Sequence, residues 1–323
     1  MLRIMAAGGF RNFGKRAGRT CCRAARVLLA LPCLAVLQPA HARSLTIVDW
    51  LTTADGLPNP NVESIVRDSQ GYVWIGTRGG LVRHEGVRLN VLRRDPDRPD
   101  SLPGNNILTL MAAADGDVWA AISEQGIVRI RGVDVVRHWA NQREDDPLRG
   151  KFVWSLEETC DGSVWGVYAT DGLVRIDPAT GATTHFSPGE SGLPDSGFGL
   201  QLVTGEDCRL WLLRSDGVWR VEKDAPFGFQ RIIAAENSQL PFFLSLLLTG
   251  DGGGFVSGSR GVMRIDLGGS AGRGARIVKA WDLGGSVNVV HPADDGRLWL
   301  GMRRGLDLFD PATGTSESVN FGA

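Results

Sequence analysis

The sequence predicts an all-β protein, a β-propeller of about six four-stranded antiparallel blades. An aromatic residue recurs every 44 to 46 residues, and glycine precedes it by three positions in five of the six copies. Short alternating runs rich in Val, Leu, Ile and Trp flank Asp/Gly turns around each aromatic residue, a pattern typical of hairpins. Four strands in a repeat of this length are expected of a propeller blade. The six aromatic residues, called the anchors below, are Trp74, Trp119, Trp165, Trp211, Phe255 and Trp299.

The copy around Trp74 shows the four strands most clearly. An Asp/Gly turn precedes the anchor strand, and the pair Gly79-Gly80 follows it. Glycine supplies the positive φ angle that such tight turns need, and an aspartate side chain can cap the turn. The fourth copy departs from this pattern, because Cys208 stands where the other five copies carry glycine. The predicted strands, named a to d from first to last, are Val62–Arg67, Val73–Thr77, Leu81–His84 and Arg88–Leu92.

The first 42 residues are predicted to be a secretory signal peptide. Residues 1–26 carry seven basic and no acidic residues, and the apolar run Val27–Leu37 follows. An Ala-x-Ala site then completes the pattern, with cleavage expected after Ala42. The apolar run is too short for a membrane span, which needs about 20 residues. We therefore expect residues 43–323 to form the propeller and to be exported to the periplasm.

The charge of the chain argues against binding to nucleic acid or to an anionic membrane. The chain has 35 basic and 36 acidic residues. Loss of the seven basic residues of the signal peptide leaves 28 basic residues against 36 acidic ones, a net charge of −8. Nucleic acids and anionic membranes attract clustered Lys and Arg instead. The strongest later apolar run, Leu240–Leu248, is too short to cross a bilayer.

The first copy resembles a known repeat. The run from Val62 to Arg83, with Gly71-Tyr-Val-Trp74-Ile-Gly-Thr77 at its centre, is similar to the two-component regulator propeller repeat. Members of this family form the periplasmic sensor region of hybrid histidine kinases and of membrane-bound diguanylate cyclases. The resemblance implies a ligand-sensing or ligand-binding propeller without a cofactor. In such proteins the ligand is a small extracellular molecule, often one related to carbohydrate. No kinase, cyclase or nucleotide-binding motif occurs in the 323 residues, so the output domain is expected to be absent from this chain.

Strand counting leaves two architectures open. The run Leu45–Trp50 is predicted to be an additional strand before the first blade, and the last strand d is predicted at about Glu317–Phe321. If Leu45–Trp50 needs partner strands of its own, the six blades are an incomplete seven-bladed ring. Open apolar faces of such a ring would favour self-association or a protein partner. If Leu45–Trp50 pairs with the blade of Trp299, six blades close by themselves.

Candidate binding residues lie where the repeat is broken rather than where it recurs. The links from strand d to strand a and the turns from b to c meet at one rim of a propeller, where loops carry ligand sites. Arginine with exposed aromatic residues suits carboxylated sugars or other anions, through bidentate hydrogen bonds and ring stacking. Phe152 and Phe198 lie at the starts of strands on this rim. The candidates are Arg78, Trp154, Tyr168, Arg214, Phe242, Arg260, Arg303 and Arg304.

Two further features are assigned structural roles. The aspartates of the a–b turns recur once per blade, far apart around a ring, whereas calcium needs six or more oxygens together. We therefore expect them to stabilise turns rather than to bind metal. Cys160 and Cys208 precede the anchors of consecutive blades, and export supplies an oxidising compartment. A disulfide between them is a candidate, although adjacent inner strands can lie slightly too far apart for one.

The sequence offers no catalytic residues. General acid–base chemistry would need His, Tyr, Glu or Asp side chains, and no pair of histidines or carboxylates stands at matching rim positions. Of the four histidines after the signal peptide, only His291 is predicted near an inner strand. A ligand-binding sensor is therefore favoured. The first alternative is a protein–protein interaction scaffold, and the second is a lyase or glycan-active propeller enzyme.

Overall fold

The computed structural model of the protein contains six four-stranded antiparallel sheets. It describes residues 2–3, 50–139, 152–169, 172–189, 192–194, 197–222, 228–268 and 274–319. The predicted signal peptide and the predicted strand Leu45–Trp50 therefore lie almost entirely outside the described residues. Two short strands, Leu2–Arg3 and Trp50–Leu51, belong to none of the six sheets.

Each sheet is one blade, and its strands follow one another in chain order from a to d, as the repeat predicts. Strands a are Val62–Arg67, Ile107–Ala112, Val153–Glu158, Gly199–Thr204, Phe243–Thr249 and Val287–Pro292. Strands b are Val73–Thr77, Val118–Ile122, Val164–Tyr168, Leu210–Arg214, Gly253–Gly258 and Leu298–Met302. Strands c are Gly80–Glu85, Gly126–Arg131, Leu173–Ile176, Gly217–Glu222, Gly261–Asp266 and Gly305–Asp310. Strands d are Arg88–Leu92, Asp134–Trp139, Thr183–Phe186, Gly228–Ala234, Arg276–Asp282 and Thr315–Ser318.

Most predicted strand bounds of blade 1 agree with the structure, and one bound in blade 6 does not. The last strand d begins at Thr315 rather than near Glu317. The preceding turn closes at Gly314, whose N–H donates to the carbonyl oxygen of Asp310 at 2.7 Å, so the strand can begin at once. The predicted end of this strand, Phe321, lies outside the described residues.

Helical structure in the described ranges is confined to two single turns of 3₁₀ helix, Thr53–Asp55 and Ala235–Asn237. Within the described residues, no helix is long and apolar enough to cross a membrane.

The hydrophobic core lies between blades and is organised by the anchors. Trp74 of blade 1 packs in one cluster with Ile107 and Leu110, which lie on strand a of blade 2. The same arrangement repeats at the next four junctions, where the anchor of each blade joins a cluster with strand a of the blade that follows. The first five anchors are accordingly buried. Each of these five anchors thus stabilises the contact with the following blade through burial of a large apolar surface.

The sixth anchor differs from the other five. Trp299 is half-buried, and it belongs to none of the core clusters formed by the described residues. Strands a of successive blades contact each other from blade 1 through blade 6, but strand a of blade 6 makes no comparable contact with that of blade 1 within the described ranges. A cavity of about 590 Å³, lined by strand a of blade 1 and by Val289 of blade 6, lies at this seam.

The aspartates of the a–b turns cap those turns. The Oδ1 atom of each accepts a hydrogen bond from the backbone N–H two residues later, at 3.0 to 3.3 Å. In blade 1 the cap extends to the anchor, because Asp68 Oδ2 also accepts from the indole Nε1 of Trp74 at 2.8 Å. In blade 5 the hydrogen bond from the Thr249 hydroxyl, aided by Arg264, holds the pKa of Asp251 below its ordinary value. The repeated carboxylates therefore have a local structural role in every blade.

Candidate functional site

The rim predicted to carry the site is built by hydrogen bonds between the d–a links and the b–c turns. In blades 1, 2, 4 and 5 the carbonyl oxygen of the residue just before strand a accepts from a backbone N–H of the b–c turn in the same blade. These bonds run from Arg78 to Asn61, Ser123 to Asn106, Ser215 to Phe198 and Ser259 to Phe242, at 3.4, 2.9, 2.9 and 3.1 Å. In each of the links that precede strand a of blades 1, 2, 4 and 5, one leucine is buried: Leu57, Leu102, Leu193 and Leu240. The backbone of the rim is therefore held in place, and its side chains are free to vary.

An arc of exposed aromatic side chains lies on this rim. Phe152, Phe198 and Phe242 occupy the same position in blades 3, 4 and 5, one residue before the first pair of the a–b ladder. They are 42%, 57% and 61% exposed. Trp154, two residues after Phe152, is 50% exposed. We call these four residues the aromatic arc. Blades 3, 4 and 5 therefore each present an exposed aromatic side chain at this rim, and exposed apolar groups that adjoin one another mark binding sites.

A β-bulge at the start of strand a helps to present this surface, and sequence reasoning did not predict it. In all six blades the a–b register shifts after the first residue pair. The extra residues are Glu63, Leu108, Trp154, Leu200, Leu244 and Asn288. A bulge leaves its extra residue outside the ladder and re-aims that side chain. Leucine stands at the bulge in three blades and Glu, Trp and Asn in the others, so no constant residue marked the bulge in the sequence.

The predicted rim arginines are largely paired with carboxylates of their own blades. Arg78 Nε lies 2.5 Å from Glu63, and Arg260 NH2 lies 2.7 Å from Asp282. Arg304 NH2 lies 2.7 Å from the carboxylate of Asp307, which is itself buried. Arg303 is exposed, and no ion pair of the described residues includes it. An anionic ligand would therefore have to compete with existing carboxylates at three of these four arginines.

The charge pairs at the rim perturb the titration of their carboxylates. Burial acts to raise the pKa of Asp307, but hydrogen bonds from Arg304, Ser318 and Ser316 outweigh it and hold the pKa below its ordinary value. For Asp282, the hydrogen bond from the Gly284 N–H lowers the pKa first, and Arg260 lowers it further. Both groups are therefore carboxylates at neutral pH, which keeps the two arginines neutralised.

Two predicted site residues are buried within the rim rather than displayed on it. Tyr168 is 2% exposed and belongs to the cluster around Trp119. Arg214 is 4% exposed, and its guanidinium donates to Asp216 Oδ1 at 3.1 Å and to the carbonyl oxygen of Pro194 at 3.2 Å. Arg214 thus ties a b–c turn to the link beside it. Their sequence positions, in or next to b–c turns, gave no indication of this burial.

A disulfide lies on the opposite face, at the a–b turns. It joins Cys160 of blade 3 to Cys208 of blade 4, with the Cα atoms 5.6 Å apart. Cys208 has a φ angle of +62°, and the glycines at the same position in the other blades have φ angles of +77° to +93°. The fourth copy therefore keeps the left-handed turn of the repeat although it lacks the glycine that favours it.

Among the residues that the structure describes, no three His, Cys, Asp or Glu side chains are grouped as metal ligands. The features of the candidate site are therefore an aromatic surface and paired charges. Such a surface can stack on the apolar face of a ligand and can hydrogen-bond at its edges.

Comparison with known proteins identifies the repeat. Residues 56–79, which include the link and the first two strands of blade 1, match the two component regulator propeller family. No curated protein matches the chain.

Solved structures share the fold at low sequence identity. The chain is similar to the extracellular domain of a protein assigned to the hybrid two component systems, from B. thetaiotaomicron, with a TM-score of 0.69 and 18% identity over 85% of this chain and 37% of that one. It is also similar to virginiamycin B lyase from Staphylococcus aureus, with a TM-score of 0.61 and 13% identity over 81% and 85% of the two chains. PorZ, a surface component of the type-IX secretion system of Porphyromonas gingivalis, has a TM-score of 0.61 and 12% identity over 80% and 41%.

These similarities show the fold only, because the same fold occurs in sensors, enzymes and secretion components. The function has to be inferred from the residues of the site. The chain spans 37% of the length of the B. thetaiotaomicron extracellular domain. By its six four-stranded blades and by the match of residues 56–79, the chain is a β-propeller that carries the two component regulator propeller repeat.

Proposed function

We propose that the propeller binds a carbohydrate-related ligand at the aromatic arc. It would do so as the periplasmic sensor region of a membrane-bound signalling protein of the histidine kinase or diguanylate cyclase type. The observation that carries this proposal is the exposure of phenylalanine at one rim position in three consecutive blades. The match of residues 56–79 to the regulator propeller family supports the signalling role.

The aromatic arc suits the flat C–H face of a sugar ring. Leaving an aromatic ring in water costs about 25 cal/mol for each Å² of apolar surface, and a stacked sugar ring would cover part of that surface. The same rim position carries Asn61 and Asn106 in blades 1 and 2 and Ser286 in blade 6, side chains that can hydrogen-bond hydroxyl groups. An extended ligand could therefore meet aromatic contacts on one side of the rim and polar contacts on the other.

The charge pairs favour a neutral sugar over an acidic one. A carboxylated ligand would have to displace Glu63 from Arg78 or Asp282 from Arg260 before it formed a bidentate contact. Of the predicted rim arginines that are exposed, Arg303 alone could receive such a ligand without that competition. We therefore expect affinity to depend on the aromatic residues and to change little with ionic strength.

A glycan array probed with the full chain, followed by calorimetric titration of the sugars that bind, tests this proposal. Phe198→Asn and Phe242→Asn place on blades 4 and 5 the residue that blades 1 and 2 already carry. Removal of two stacking residues is expected to weaken binding at least tenfold. Val87→Asn is the matched control, because Val87 is 98% exposed in the c–d turn of blade 1, away from this rim. Equal binding by the double variant and the control would refute a site at the aromatic arc.

Export is tested separately. Expressed in a Gram-negative host, the chain is expected in the periplasmic fraction with Arg43 as its N-terminal residue, because cleavage is predicted after Ala42. Intact-mass measurement distinguishes this product from the uncleaved chain. Recovery of the uncleaved chain from the cytoplasm would contradict a periplasmic sensor without bearing on ligand binding.

A further inference from the structure

Blade 5 lacks an apolar side chain that the other blades have. The residue directly before the anchor is apolar in five blades, as Val73, Val118, Val164, Leu210 and Leu298, whereas blade 5 has Gly254. In blades 2, 3, 4 and 6 this side chain packs in the cluster that contains the anchor of the preceding blade. Blade 5 therefore offers no such side chain to the anchor of blade 4, Trp211.

The backbone of blade 5 enforces this gap. A Cβ atom on Gly254 would lie 2.6 Å from the carbonyl oxygen of Leu247 on the neighbouring strand. Real contacts of a Cβ atom are longer than this, so a side chain at residue 254 would require the two strands to move apart. The missing apolar group is thus a property of the strand geometry.

A cavity of about 670 Å³ lies beside Trp211, where residues of blades 4, 5 and 6 meet. It is lined by Trp211 and Val203 of blade 4, by Leu246 and Leu248 of blade 5, and by Val290 of blade 6. Its volume is in the range of small-molecule sites, and its apolar walls are typical of them. Residues of the a–b turns also line it, so it lies towards the face opposite the aromatic arc and is a separate site.

The polar lining of this cavity carries one carboxylate without an ion pair. Asp207 Oδ2 lies 3.3 Å from Arg209 NH1, so these two charges offset each other. Glu206 takes part in no ion pair formed by the described residues, and its carboxylate reaches across to Gly250 of blade 5. The imidazole of His291 contributes hydrogen-bonding capacity from blade 6. The unbalanced charge of the lining is therefore the negative charge of Glu206.

We propose that this cavity binds a small molecule with an apolar body and a cationic amino group. The apolar body would pack against Trp211 and the leucines of blade 5 that line the cavity. The amino group would donate a charge-assisted hydrogen bond to the carboxylate of Glu206, which is the stronger class of hydrogen bond. The site lies apart from the aromatic arc, so the proposal stands independently of the carbohydrate ligand.

Three probes with the same body test the proposal on the full chain: 4-phenylbutylamine, 4-phenylbutanol and 4-phenylbutyrate. Calorimetric titration is expected to rank the amine first by about tenfold, the alcohol second and the carboxylate last. Glu206→Gln is expected to reduce the affinity of the amine to that of the alcohol. Asp294→Asn removes a carboxylate at the same turn position of blade 6, five residues before its anchor, and is expected to leave the ranking unchanged.

A second variant tests the cavity itself. Val203→Trp fills the space beside Trp211 and is expected to abolish binding of all three probes. Val66→Trp is its matched control, because Val66 pairs with the anchor of blade 1 as Val203 pairs with that of blade 4. The proposal is overturned if no probe binds even at a concentration of about 10 mM, which would detect very weak binding. It is also overturned if the carboxylate binds best, or if the Val203→Trp variant binds the probes as the unaltered chain does. Phe198→Asn with Phe242→Asn is expected to keep amine binding, which separates this site from the aromatic arc.

Discussion

The hydroxyl of Ser64 in blade 1 accepts a hydrogen bond from the backbone N–H of Leu110 in blade 2, at 3.1 Å. The same bond recurs between later blades. Ser155 accepts it from the N–H of Leu202 at 3.1 Å, and the amide oxygen of Gln201 accepts it from Leu246 at 2.9 Å. Ser245 accepts it from Val290 at 3.5 Å. These acceptors occupy one position of strand a, the first pair after the bulge. Adjacent inner strands, which share no backbone ladder, are thus joined by side-chain hydrogen bonds.

Ser155→Ala is expected to destabilise the protein by about 1–2 kcal/mol, because a buried backbone N–H loses its partner. Ser155 is buried, and its partner, the donating backbone N–H of Leu202, lies in the protein interior. Ser155→Thr is the matched control, since blade 2 carries Thr109 at this position, and is expected to keep most of the stability. Urea unfolding measures both variants. A loss for Thr equal to that for Ala would show that packing rather than the hydroxyl is responsible.

The disulfide between blades 3 and 4 is expected to leave no free thiol in the exported, unreduced protein. Thiol titration after denaturation checks this, and two free thiols would exclude the bond. Cys160→Ser with Cys208→Ser is expected to lose about 2–4 kcal/mol of stability, since the bond closes a long loop. Replacing Cys208 by Gly instead, with Cys160→Ser, is expected to recover about 1 kcal/mol, because glycine adopts the positive φ angle of residue 208 without strain.

Stability is expected to depend on pH through Glu157. Burial raises the pKa of this carboxyl above its ordinary 4.5, and the hydrogen bond that it accepts from the Thr204 N–H offsets only part of that effect. The folded state then binds more protons than the unfolded state between 4.5 and the raised pKa. Stability contributed by this group is therefore full below pH 4.5 and is lost as the pH rises through the raised value.

Glu157→Gln removes this dependence. Urea unfolding from pH 4 to 7 is expected to show the variant gaining stability relative to the unaltered chain as the pH rises. Glu158→Gln removes a neighbouring charge that also raises the pKa of Glu157, and is expected to reduce the pH dependence without abolishing it. A stability difference for Glu157→Gln that does not vary with pH would contradict the raised pKa.

The chain is expected to self-associate through the seam between blades 6 and 1. Trp299 is half-buried there, and Val289 and Ile65 are 51% and 45% exposed. Val289 also ends the series of inter-strand bonds, because valine cannot accept one at the position of Ser64. Exposed apolar faces favour association, and sedimentation velocity of the exported chain is expected to show dimers. A monodisperse monomer with a sharp, high melting transition would show that this seam is satisfied within one chain.

The sequence repeat was sufficient to predict the blades, because each anchor and each Asp/Gly turn acts through local contacts that recur. Val62–Arg67 and Val73–Thr77 are observed with the predicted bounds for this reason. The rim was harder to predict. Burial of Tyr168 and Arg214 depends on residues from other turns and blades, and pairing of Arg78 with Glu63 depends on the bulge between their strands. The glycine at residue 254 is visible in the sequence, but the cavity beside Trp211 depends on how blade 5 packs.

The bulge that all six blades share separates two kinds of sequence constraint. The anchors are aromatic in every blade, whereas the six bulge residues comprise an acid, three leucines, a tryptophan and an amide. A residue outside the ladder can change without loss of a strand hydrogen bond. The propeller can thus acquire new chemistry at its rim while its scaffold stays the same, one blade at a time.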